Sequence, residues 1–239
     1  MSTLTVYPAA GAASPVDGPI NEVNVDMTFA TIRASAGNQG GLESTSLDRH
    51  AGIDGSTTTS QYKSMNRGFY DFDTSPIGTG QTISSSTFSL LGNFKTNGMG
   101  SGDIYVCANT VTSSSSLPST DFPSVGSTSF GSITYANWLT SATLNDFTLN
   151  ASGIAAIAVS GITKLATRID WDMNNTTTGL TWSSGGSSRY ESWFADAGGT
   201  SRPKLVVVYA PAAVASTVTD TASNLLSDGV SYSGGATSF

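Results

Sequence analysis

One cysteine and one histidine in 239 residues remove several classes of chemistry at the outset. Cys107 has no second cysteine with which to close an internal disulfide. Structural zinc sites draw on several Cys and His ligands, and the chain has too few. His50 is the sole imidazole, and no Gly-x-Ser-x-Gly elbow accompanies it. Set beside Arg49 in an Asp-rich neighbourhood, His50 reads as a surface residue, and no catalytic residue is assigned. Cys107 sits in Asp103-Ile104-Tyr105-Val106-Cys107-Ala108, which reads as a buried strand. A small buried hydrophobe is therefore expected there rather than a reactive thiol.

Charge is also scarce. Asp, Glu, Lys and Arg make up 11% of the chain, less than half the usual share, and Ser, Thr, Gly and Asn fill the difference. The ten Lys and Arg residues are scattered singly and the net charge is −7. A nucleic-acid partner needs a clustered basic face to displace counterions, so none is expected, and an anionic membrane surface is disfavoured for the same reason. No segment reaches the roughly 18 consecutive apolar residues of a membrane helix. The opening Met1-Ser2-Thr3-Leu4-Thr5-Val6-Tyr7 has neither the basic start nor the apolar stretch of a signal peptide and alternates like a strand. A virion or another extracellular surface, reached by a route such as lysis, suits this weakly charged polar composition.

What the chain does have is short runs with period-two alternation, rich in Val, Ile, Thr, Phe and Tyr and bounded by Gly, Ser, Asn or Asp. They predict strands at 3–7, 28–34, 44–51, 63–72, 82–91, 103–108, 129–135, 142–149, 165–173, 189–195 and 204–209. One helix is predicted over 150–159, capped by Asn150 or Ser152, with Ile154, Ile157 and Ala158 on one face and Gly161 as its stop. Many short strands separated by turn signals predict an all-β antiparallel sandwich. The 38% hydrophobic fraction suffices for one large core. That domain is assigned to residues 1–210. After Pro211 the chain turns rich in Ala, Ser and Thr, and Asp228-Gly229 between apolar-containing runs signals a hairpin over 224–232. Residues 211–239 are read as a C-terminal extension serving assembly or anchoring.

Two segments carry the most specific pattern. In the first, Arg67-Gly68-Phe69-Tyr70-Asp71-Phe72-Asp73 runs into Thr74-Ser75-Pro76-Ile77-Gly78-Thr79-Gly80-Gln81-Thr82-Ile83. In the second, Arg202-Pro203-Lys204-Leu205 opens a Val-rich run ending at Tyr209. Local physics accounts for much of this. The Asp73 carboxylate can accept backbone N–H groups of the 74–78 turn, Pro76 sets the turn, and Gly78 and Gly80 allow unusual dihedrals. Phe69 and Phe88 are the expected core aromatics, and Pro203 suits a strand start, where no ladder donor is needed. Together with the middle segment Asn145-Asp146-Phe147-Thr148-Leu149-Asn150, these residues resemble the DNRLRE family of jelly-roll sandwiches, which is related to carbohydrate-binding modules. The resemblance spans roughly residues 3–210 and implies motif roles for Arg67, Phe72, Asp73, Pro76, Gly80, Arg202 and Pro203. The opening strand, Pro15-Val16-Asp17-Gly18, Thr28-Phe29-Ala30-Thr31-Ile32-Arg33 and Asp170-Trp171-Asp172-Met173-Asn174-Asn175-Thr176-Thr177 resemble a variant among predicted tailed-phage structural proteins.

Sugar recognition stacks exposed aromatics on pyranose faces. Trp138 and Trp182, flanked by Ser, Asn or Gly, are the leading glycan-binding candidates, with Tyr62 and Tyr190, whereas Trp171 and Trp193 read as core. Glycosidases need two carboxylates across a cleft. Asp71 with Asp73, and Asp170 with Asp172, share strand faces by alternation, but read as turn caps or as partners of Arg67 and Arg168. Calcium is the one cation left open, at Asp170, Asp172 and Asn174, without an Asp-x-Asp-x-Asp-Gly loop; otherwise no cofactor is expected. The expected function is structural and non-enzymatic: a capsid decoration, tail or fibre component of a phage virion, homo-oligomeric and docked to other virion proteins. The alternative is a carbohydrate-binding or adhesion module for host surface glycans. The same sandwich serves both.

Overall fold

Alternating β-branched and aromatic residues carry most of the chain into antiparallel strands. The computed structural model describes residues 1–9, 15–40 and 47–213. Its strands are β1 (Ser2–Val6), β2 (Asp17–Met27), β3 (Leu47–Gly55), β4 (Tyr62–Asp73), β5 (Gln81–Asn97), β6 (Ile104–Ala108), β7 (Gly131–Ile133), β8 (Thr143–Thr148), β9 (Ile162–Ile169), β10 (Ser187–Trp193) and β11 (Lys204–Pro211). Three five-residue helices interrupt them: α1 (Phe29–Arg33), α2 (Ala151–Ala155) and α3 (Asp170–Asn174). The strand order is β1-β11-β5-β10-β3-β4-β9-β6-β7, with β2 added to β4 and β8 to β5. The sheet curls into the expected all-β jelly-roll sandwich. β7 returns beside the end of β8, where Asn150 N donates to Phe130 O at 2.8 Å.

Two long strands make the curl. The first part of β5 lies against β11 and β8, and its last residues pair with β10. The pairing skips Asn93, which leaves a bulge beside Gly92 where the strand turns from one neighbour to the next. β4 is buried from Ser64 through Phe72. One of its faces looks into the sandwich, where Tyr70 and Phe72 meet Phe88 at centroid distances of 4.9 and 5.9 Å. Phe88 continues to Phe147, and Trp138 joins Phe147 to Tyr190. These contacts, stacked between Phe88 and Phe147 and tilted or edge-on elsewhere, form an unbroken aromatic spine.

The local readings around the motif hold. The Asp73 carboxylate accepts from Ser75 N at 3.0 Å, Pro76 lies in the short turn Ser75–Ile77, and Gly78 and Gly80 take positive φ. Phe69, Phe72 and Phe88 are buried, as is Cys107. Pro203 directly precedes β11, and Arg202 places its guanidinium 4.4 Å from the Tyr7 ring centroid. Asn150 caps α2 by accepting from Gly153 N at 3.0 Å, although the helix is half the expected length.

Four expectations are corrected. Residues 29–33 form a helix, not a strand: Thr28 Oγ1 accepts from Thr31 N, Ile32 is buried and Phe29 packs partly against the core. The strand before it, β2, was missed because its Asp, Gly, Pro and Asn read as turn residues. In the structure Asn21 and Glu22 are buried in that strand, and Asn21 bonds to Asn66 and Gln39. The predicted strand 165–173 divides, with β9 ending at Ile169 and α3 starting at Asp170. His50 is not at the surface: it is fully buried, stacked 4.0 Å from Phe194. Residues 44–46 of the predicted strand 44–51, and the extension from 214 on with the hairpin predicted over 224–232, lie outside the described residues. Pro211 belongs to β11, and Ala212 N donates to Gly80 O at 2.9 Å. Among the described residues no helix is long and apolar enough to cross a membrane.

Candidate functional site

The residues that could carry chemistry are mostly committed to the interior. The densest polar cluster lies on the outer face of β4, where α1, α3, β9 and the connection between β6 and β7 meet. Asp172, in α3, is fully buried. Its carboxylate accepts from Arg67 Nε at 2.8 Å and Nη2 at 2.7 Å, and from Arg168 Nε at 2.8 Å and Nη2 at 2.7 Å. Both pairs are bidentate, the strongest geometry open to these groups. Burial raises the Asp172 pKa, but Arg67 and Arg168 outweigh it and hold the carboxyl well below its usual range.

Arg67 also donates from Nη1 to Phe122 O at 2.6 Å and from Nη2 to Arg33 O at 3.0 Å. Arg168 reaches Gly126 O at 2.7 Å. The third guanidinium, Arg33 from α1, donates through Nε to Asp172 O at 2.9 Å. Sequence reading paired Arg67 and Arg168 with neighbouring aspartates, and for Asp172 that holds. Arg33 was missed, since a strand over 28–34 offers no reason to place it 139 positions away beside α3.

A second buried set is His50, Tyr70 and Thr167. His50 Nδ1 bonds to the Tyr70 hydroxyl, which meets Thr167 Oγ1 at 3.1 Å, and Thr167 donates to His50 O at 2.6 Å. Burial lowers the His50 pKa to about 3, so the ring is neutral at pH 7. Asp17, opposite Tyr70 in the β2–β4 register, accepts from Ala195 N at 2.9 Å, and burial raises its pKa to about 8. Asp71 is held by Asn109 and lies 3.6 Å from Lys164. Asp71 and Asp73 therefore do not open onto a common cleft: the first is buried and the second exposed.

The glycan-binding candidates do not form an exposed platform. Trp138 is 2% exposed, Tyr190 0% and Tyr62 6%. Trp138 was expected at the surface because its chain neighbours are polar, but it packs on Tyr190 and Phe147 inside the sandwich. Trp182 is partly buried and donates to Gln61 O at 2.8 Å. Trp171 is core, as expected, whereas Trp193 is only half-buried. The calcium candidates do not converge either. Asp172 is taken by arginines, while Asn174 donates to Asp170 at 2.6 Å on the exposed side of α3. Among the described residues no three His, Cys, Asp or Glu side chains gather as a metal site.

No protein-family model matches the chain, and no curated protein matches it.

What remains outward-facing is an edge. Among the described residues β1 stands at one end of the strand order and pairs on one side only, with β11. Leu4 and Val6 pack inward, while Ser2, Thr3 and Thr5 are exposed. The strand contains no charge and no proline, the usual guards of a free sheet edge. The opposite end, β7, has three residues and is sheltered by the end of β8.

Proposed function

We propose that this chain is a structural, non-enzymatic assembly protein, a capsid decoration, tail or fibre component of a bacteriophage particle. The observation that carries the reading is the edge of β1, unguarded and, among the described residues, unpaired on its outer side, whose backbone groups can take a strand from another copy. In a protein meant to stay alone such an edge invites aggregation; in an assembly it is a joint. The weakly charged polar composition supports this reading, as does the likeness of 67–90 and 201–209 to DNRLRE-type sandwiches and of the opening strand and 170–177 to predicted phage structural proteins. The extension that follows β11 would supply the added strand or anchor. Glycan binding through Trp138, Tyr62 and Tyr190 is not favoured, because those rings are buried.

Immunogold electron microscopy on the native source tests the setting, with regular labelling of particles as the expected result. Diffuse label on cell-wall polysaccharide would sink the virion reading. The joint is tested by light scattering on the full chain. Thr3→Lys/Thr5→Lys should reduce an oligomer to monomer without changing the unfolding midpoint, and an oligomer indifferent to both lysines would refute the role of β1.

A further inference from the structure

In a chain of net charge −7, three of the ten basic residues converge on one carboxylate: Arg33, Arg67 and Arg168 on Asp172. Three guanidiniums against one carboxylate leave a surplus of two positive charges. Arg67 and Arg168, with side chains 2% and 3% exposed, are directed at Asp172 and at backbone carbonyls. Arg33 differs. Its side chain is 25% exposed, and among the described residues only its Nε is engaged, by Asp172. None of those residues engages either η nitrogen.

Arg33, Arg67 and Arg168 line a cavity of about 340 Å3, together with Pro123, Val125 and Ser127. Burial lowers the Arg33 pKa, and beyond it only Asp172 favours the charge, whereas Arg168 and Arg67 oppose it. The cavity is thus electropositive, with a planar fork at its mouth, a hydroxyl beside it and an apolar wall.

We propose that this cavity binds one organic carboxylate, gripped by the η nitrogens of Arg33 and the Ser127 hydroxyl, with its carbon skeleton against Pro123 and Val125. A guanidinium fork matches a carboxylate in two parallel hydrogen bonds. The apolar wall favours an organic acid over a bare inorganic anion, and the volume suits a single group of about pyranose size. The proposal is independent of how β1 is used.

The test is an NMR titration of the full chain with sodium glucuronate, with glucose and inorganic phosphate as parallel arms. Glucuronate should give saturable shifts at the amides of 33–34 and 124–127, and glucose none. Arg33→Gln should weaken binding roughly tenfold or more, the worth of a bidentate charge-assisted pair. Ser127→Asp, which keeps all three arginines and tethers a carboxylate at the mouth, should abolish it; both variants are first checked for unchanged cooperative unfolding. Absence of saturable shifts with glucuronate, equal binding by Arg33→Gln, or phosphate binding more tightly than glucuronate would each overturn the assignment.

Discussion

Arg67 stacks its guanidinium 3.9 Å from the centroid of the Phe122 ring and donates to the carbonyl oxygen of the same residue at 2.6 Å. Through this double grip β4 holds the connection between β6 and β7 against its outer face. The connection brings Val111, Leu117 and Phe122 into the core cluster, so β4 has apolar cover on both sides. A charged residue in mid-strand thereby becomes the fastening of a third layer, stabilised by the cation–π contact and by Asp172.

Removing the Asp172 charge should be costly. Asp172→Asn leaves Arg67 and Arg168 buried without their counter-charge, and a loss of about 3–5 kcal/mol is expected in urea unfolding. Arg33→Gln, on a part-exposed side chain, should cost under about 1 kcal/mol. Equal losses for the two variants would mean that the cluster does not work as a buried network.

The pH profile of stability follows from two buried groups with opposed shifts. Asp17 has its pKa raised to about 8, so its stabilisation is complete below the unfolded value, about 3.9, and is lost as pH rises towards 8. His50 has its pKa lowered to about 3, so its stabilisation is complete above about 6.5 and is lost as pH falls. Between about pH 4 and 6.5 the two slopes, each about 1.4 kcal/mol per pH unit, oppose one another. Above 6.5 Asp17 acts alone and stability should fall towards pH 8. Below about 4 the depressed Asp172 carboxyl adds its own loss as it protonates. Denaturant titrations across pH should show that Asp17→Asn removes the fall between 6.5 and 8 and exposes a steady loss from 6.5 down to 4. An unchanged profile in Asp17→Asn would refute the assignment.

Gly92 is the tightest point of the bend in β5. A Cβ there would meet Leu139 O and Asn145 Nδ2, and Trp138 Nε1 at 3.0 Å. Those groups are not free to move: Leu139 N donates to Asn145 Oδ1 at 2.7 Å, and Asn145 Nδ2 returns a bond to Leu139 O at 2.9 Å. Gly92→Ala should lower stability by about 2–3 kcal/mol through overpacking. Gly161→Ala meets only Ala158 Cβ at 4.0 Å and should change stability by about 0.5 kcal/mol at most. The comparison is read from two thermal unfolding curves, and comparable midpoints would count against the close approach at Gly92.

Strand alternation, the 73–80 turn and the Asn150 cap were legible in the sequence because each depends on neighbours a few positions away. Asp73 meets Ser75, and Asn150 meets Gly153. The same local signals misled where distant cover decides. Polar neighbours such as Asn137 and Ser141 suggested that Trp138 is exposed, yet the ring is enclosed by Tyr190 of β10 and Phe147 of β8. Arg49 beside His50 suggested a surface, but the His50 ring lies under Phe194. Period-two alternation assumes one wet face, and β4 has none from Ser64 to Phe72. The composition and spacing of the residues by themselves determined an antiparallel β-sandwich, because backbone propensity and turn chemistry act over short range. Only the tertiary structure decided that Arg33, Arg67 and Arg168 share one carboxylate, because a buried charge takes as its partner whatever the folded layers bring within hydrogen-bonding reach.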